Sequence, residues 1–113
     1  MRKIVVLLML LLVPSFSYAD WTAPRDITLV IIEGPDDGSV AFVGFGDQFN
    51  PANCNGALSF NQIDLSTAKG RNMLSLILSA KARGKAIKTD IDNANCSTWR
   101  NLNRPIINGV WEP

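Results

Sequence analysis

The chain has 113 residues, 47% of them hydrophobic and 19% charged, with a formal net charge of +1. That length suits one domain with a single modest core. A charge so near zero leaves no electrostatic footprint for nucleic acid or an anionic membrane. The absence of histidine removes Ser-His-Asp and Cys-His catalysis, and with them the commonest metal ligand.

Residues 1–19 read as a secretory leader. Arg2 and Lys3 form its charged start, Ile4 to Val13 its apolar run, and Pro14 ends that run. The run is shorter than the ~20 residues of a membrane span. Ser17-Tyr18-Ala19 puts small residues at minus three and minus one, which predicts cleavage before Asp20; the alternative is an uncleaved anchor. No cysteine follows closely, which argues against a lipoprotein. Losing Arg2 and Lys3 leaves 9 of the 11 basic groups against 10 acidic ones, a net charge of −1. The mature chain, residues 20–113, is then expected in the periplasm or outside the cell, with no membrane span. Its two cysteines, Cys54 and Cys96, are predicted to form one disulfide in an oxidising compartment. Closing so long a loop stabilises by ~3–4 kcal/mol in the chain-entropy model.

The mature chain opens on strands. Ile27 to Ile32 is apolar at nearly every position, which predicts a strand buried on both faces for much of its length. Gly34-Pro35-Asp36-Asp37-Gly38 is turn chemistry, and Ser39 to Phe45 reads as the second strand of a hairpin. Gly44 in that strand marks a bulge or a close approach. Residues 46–56 form a polar loop pinned by Phe49 and Cys54, and Ala57 to Ile63 a third strand.

Asp64 to Ile91 reads as a capped helix, a glycine stop and a fourth strand from Ala86. Asp64 or Ser66 can serve as N-cap, and Gly84 suits the left-handed position past the end. Met73, Ile77 and Ala80 share one helix face, with Leu76 on one flank and Leu74 and Leu78 on the other. This arc is wider than one sheet face needs. It reads either as a deeply buried core helix or as one that also meets a neighbouring subunit through Met73, Leu74, Ile77 and Leu78. Asp92 to Arg104 reads as a second polar loop, tied down by Cys96 and Trp99, and Pro105 to Trp111 as the last strand.

The predicted order is β-β-β-α-β-β: mainly β with one helix, the order of a five-stranded OB-fold-like barrel. Other five-stranded arrangements share it. Asp20-Trp21-Thr22 after the leader, a Cys-bearing middle, MLSLILSAKARGKAIKTDI and a cysteine soon after it carry a resemblance. The chain resembles small exported OB-fold proteins, including the B subunits of pertussis-like and subtilase-type AB5 toxins and their periplasmic relatives. The likeness is best from Leu65 to Cys96. It implies an OB-fold, a ring of five with helices lining the centre, and glycan recognition on the barrel.

The residues give little support for catalysis, and no cofactor is expected. Asp90-Ile91-Asp92-Asn93-Ala94-Asn95 has the flavour of a calcium loop, but Ala94 stands where a ligand is needed and no Glu follows at the right distance. An enzyme or metal protein using Asp90 and Asp92 is therefore the weakest reading. Trp21, Trp99 and Trp111 are hard to bury completely; they either cap the ends of a small barrel or offer indole faces to a sugar or a protein. Trp99 lies three residues beyond Cys96, so the expected disulfide gathers it with Asn50, Asn53, Asn55, Asn95 and Asn101. An indole beside amide donors and acceptors is what a sugar site needs. The strands Ser39 to Phe45 and Ala57 to Ile63 carry no Lys or Arg, which speaks against single-stranded nucleic acid. The reading is an exported, non-enzymatic interaction module with a protein or glycan partner, capable of forming a homo-oligomer.

Overall fold

The computed structural model describes residues 19–34, 38–56 and 59–113. The leader before Ala19, Pro35-Asp36-Asp37 of the first turn, and Ala57-Leu58 of the predicted third strand lie outside the described residues. Six strands and one helix follow in order: β1 (Ala19–Trp21), β2 (Ile27–Glu33), β3 (Val40–Phe45), β4 (Phe60–Asp64), α1 (Ala68–Ala82), β5 (Lys88–Trp99) and β6 (Leu102–Trp111). Among the described residues the chain is mainly β with a single helix.

The strands form one sheet, which is not closed, in the order β1-β5-β6-β4-β3-β2. Every pairing is antiparallel except β4 with β6, which run parallel with Gln62 opposite Ile106. The two edge strands, β1 and β2, are consecutive in the chain. Between them, Thr22 N–H donates to Thr89 O at 2.9 Å, and Arg25 bridges Ile87 in antiparallel fashion.

The sheet has one strand more than predicted. β1 is only three residues long, too short for any alternation to show, and it is held by the register Asp20↔Ile91 and Trp21↔Asp90. The predicted loop over residues 92–104 is mostly strand. β5 continues to Trp99, and β6 begins at Leu102. Asn and Asp read as turn formers there, yet they occupy an irregularity in the β5–β6 register between Ile91 and Cys96. Asp92 holds it, because its Oδ1 accepts from the Ala94 and Asn95 amides at 2.8 and 2.9 Å. The real turn is Arg100-Asn101, with φ of 51° and 65°, the backbone of a two-residue hairpin.

β2 is an edge strand rather than one buried on both faces: Leu29 and Ile32 are 43% and 52% exposed. β3 takes the central place, buried throughout. Gly44 is a close approach, since a Cβ there would stand 3.2 Å from both the Phe60 ring and Thr28 Oγ1. The bulge falls opposite it, between Ile27 and Leu29 of β2. β4 starts at Phe60, and Asn61, Gln62 and Ile63 are all buried, so the expected alternation is lost. A strand covered on both sides has no solvent face to mark with polar residues.

The core joins Ala41, Val43 and Phe45 of β3 to Ile63, Ile91 and Ile107, with Leu74, Ile77 and Ala80 of the helix packed on them. Fully burying Ile77 contributes about 1.5–3 kcal/mol. The N-cap is Thr67, not Asp64 or Ser66: Thr67 Oγ1 accepts from Gly70 N–H at 3.0 Å. Asp64 instead shapes the preceding turn, accepting from the Ser66 amide at 2.9 Å. The buried helix face is Gly70, Leu74, Ile77 and Ala80, so the face is rotated toward Leu74, with Ile77 near its centre. Gly70 sets that rotation, because a Cβ there would overlap the Asp64 carbonyl. Gly84 occupies the predicted left-handed position, φ +64°.

Candidate functional site

Cys54 and Cys96 are disulfide-bonded, with Cα atoms 5.8 Å apart. The bridge ties the β3–β4 connection to β5, and Gly56 N–H adds a bond to Asn103 O at 2.7 Å. Asn50 is spent on this loop: its amide donates to Cys54 O at 2.8 Å and accepts from Cys54 N–H at 2.7 Å. Asn53 and Asn101 are exposed in left-handed backbone, and Asn55 is exposed beside the bridge. Asn95 is exposed, with its amide on Asp92 Oδ2 at 3.4 Å.

Trp99 commits its indole N–H to β2. Its Nε1 donates to Glu33 Oε2 of β2 at 3.2 Å, and the residue is half-buried. Around it Arg104 donates to Trp99 O at 3.3 Å and stacks its guanidinium over the Phe42 ring at 4.5 Å. Gln62 donates to Ser97 Oγ at 2.6 Å. These contacts hold the tip of the β5–β6 hairpin against the Phe42 face of the sheet.

A different pair of indoles stands free. Trp21 and Trp111 are 52% and 57% exposed, and strand register puts both on one face. Trp21 pairs with Asp90, Asp90 with Gly109, and Lys88 with Trp111, so Trp21, Lys88, Asp90, Gly109 and Trp111 share that face. The Trp21 ring lies across Gly109, where a Cβ would come within 3.3 Å of it. The Lys88 ammonium stands over the Trp111 ring at 5.1 Å. Asp90 sits between the indoles with its Oδ1 buried and unpartnered. Burial pushes its carboxyl above the usual range; the Lys69 charge opposes this, and Asp20 and Asp92 add to it. An Arg83–Glu112 ion pair fixes the helix end beside Trp111.

The sequence singled out both indoles as hard to bury but could not join them, because β1 was not visible. The period-two pairs Lys88/Asp90 and Gly109/Trp111 were the available signal.

Of the residues read as a subunit contact, Leu74 and Ile77 belong to the chain's own core and Met73 packs against it. Leu78 is 43% exposed. Asp92 is occupied by the bonds of its own loop. Among the described residues no three of His, Cys, Asp and Glu gather closely enough to hold a metal ion. An open cleft of about 360 Å³ lies where β1 leads into β2, lined by Pro24, Arg25, Asp26, Thr28, Gly46 and Asp47. Its arginine is buried and structural, bonded to Asp47 Oδ1 at 3.0 Å and Thr89 Oγ1 at 2.7 Å, with Phe45 beneath at 3.8 Å.

No helix among the described residues is long and apolar enough to cross a membrane. The chain matches no known protein family, no curated protein and no solved structure.

Proposed function

We propose that the chain is an exported, non-enzymatic binding module of the toxin-B-subunit-like kind, working in the periplasm or outside the cell. Its contact surface is the Trp21–Trp111 face. The observation that carries this is the exposure of two indoles on one sheet face, flanked by Lys88 and Asp90. Trp combines a large apolar body with one donor at low entropic cost, and solvent-facing pairs of it mark binding surfaces.

An OB-fold-like barrel is part of the proposal. The β2-β3-β4 meander, the helix before β5 and the parallel β4–β6 pairing support it. If residues 19–33 act as one bent strand, the contacts of Thr22 and Arg25 with β5 bring the two sheet edges together.

A glycan is the second reading, and one feature favours it. The exposed Trp21 and Trp111 rings offer stacking surfaces for sugar rings, with the Lys88 ammonium beside them. The test is tryptophan fluorescence against a glycan panel, alongside partner capture, for wild type, Trp21→Ala, Trp111→Ala and Trp99→Ala. Loss of ligand with the first two variants and retention with the third is the expected outcome. Ligand binding that survives Trp21→Ala and Trp111→Ala together rules this face out.

A further inference from the structure

We infer that the disulfide is the latch of a hinged arm: reducing Cys54–Cys96 frees residues 96–105 from the Phe42 face while the rest of the sheet stays folded.

Strand register defines the arm. β5 pairs with β1 at residues 90–92, and β6 with β4 at Ile106. Beyond those rungs, Cys96–Trp99 and Leu102–Pro105 pair with each other and with no other described strand. From the two-residue turn at Arg100-Asn101 the pairs alternate, so Asn103 and Pro105 direct their backbone groups away from β5. Pro105 has no N–H to offer there, which ends the ladder toward β4. Asn103 O is taken by Gly56 N–H at 2.7 Å. The hinge is the irregularity in β5, where residues 92–95 stand opposite Ile106 alone.

A two-stranded arm is marginally stable by itself, so its position depends on what it rests against. Its polar seating is incomplete. Gln62 is 5% exposed and donates to Ser97 Oγ, but its Oε1 is buried without a partner. Arg104 lies over Phe42 with its Nε in the same condition. Both orphans carry a desolvation cost while the arm is down, and water satisfies them when it lifts. The burial of Phe42 works the other way. The bridge joins the arm at Cys96, the first rung past the hinge, and blocks the swing. An oxidising compartment closes the arm and a reducing one frees it.

Opening is a thiol–disulfide exchange with a small dithiol. Cys96 is half-buried and Cys54 is 5% exposed, so the reductant's thiolate attacks Cys96 Sγ and Cys54 leaves as a thiolate. The second thiolate of the reductant then attacks its own sulfur in the mixed disulfide and expels Cys96. The reductant ends as a disulfide, having given two electrons, and its two protons pass to Cys54 and Cys96.

The test is amide hydrogen exchange on the whole protein with and without dithiothreitol. Exchange at residues 97–104 should speed up about tenfold or more on reduction, while the β3 amides keep their protection. Binding of an apolar dye should rise with it as Phe42 is uncovered. Acceleration that reaches β3 equally makes the bridge a staple of the whole sheet and overturns the latch. An arm whose exchange does not change overturns it too. The double variant Cys54→Ser/Cys96→Ser needs no reductant and should show the same pattern; failure of that variant to fold also counts against the latch. Glutathione, a single thiol, reads the direction of attack. Its adduct should sit on Cys96, and an adduct on Cys54 overturns attack from the arm side.

Discussion

Arg25 is a charged side chain taken out of water. Its guanidinium is buried, and burial lowers its pKa while Asp47 works the other way. Asp47 itself is 60% exposed, so the ion pair is screened and weak. The larger share of the stabilisation comes from the Thr89 bond and the Phe45 face. Arg25→Ala should then cost about 2–4 kcal/mol in urea unfolding, and Asp47→Asn less than about 1 kcal/mol. Equal losses would show that the ion pair dominates. Asp92 gives a pH signature. Burial pushes its carboxyl up, but the Ala94 and Asn95 amides and the side chains of Asn95 and Asn108 outweigh that and hold its pKa below the ordinary value. A depressed folded-state pKa contributes stability above the unfolded value, near 3.9, and loses it as pH falls through the folded value. The acid limb of the stability curve should flatten in Asp92→Asn, followed by thermal melts from pH 6 downward. None of these roles was legible in sequence. Arg25 and Asp92 are ordinary polar residues until Thr89 and the β5 irregularity are placed around them.

At the scale of elements, the helix was readable because its signals are local: a left-handed glycine, a threonine cap within one residue of the expected one, and apolar spacing. Its orientation was not, since Gly70 turns the buried face by its contact with Asp64, and no periodicity encodes that. Leu74→Ala should cost about 2–5 kcal/mol, whereas Leu78→Lys should stay within about 0.5 kcal/mol of wild type. Sedimentation of the same two proteins tests the subunit contact, because a homo-oligomer meeting through this helix should dissociate in Leu78→Lys. The β5–β6 hairpin was misread because Asp92, Asn93 and Asn95 suit turns, while the turn itself carries Arg100, an unusual residue at positive φ. The disulfide was legible from the cysteine count and the expected compartment. Its sequence separation of 42 predicts a loss of about 4 kcal/mol when both cysteines become serine, measured by denaturant unfolding.

At the scale of the whole molecule, long-range pairing is what sequence reading could not supply. Thr22 and Thr89 lie 67 positions apart, yet their hydroxyls meet at 3.3 Å and the Thr89 amide donates to Thr22 Oγ1 at 3.1 Å. Thr22→Val leaves that buried amide without an acceptor and should cost about 1–3 kcal/mol. Hydrogen exchange should then speed up at Trp21 and Thr22 before it does in β3 and β4; uniform acceleration would show that β1 opens only with global unfolding. The same separation governs the order of events in a growing chain. Synthesis delivers β1 first and its partner β5 only after most of the sequence has been made, a delay of about 3–13 s at common elongation rates. Throughout that interval Trp21 has no strand to lie against. A chain whose first strand must wait for its final third cannot complete its sheet until that third has been made.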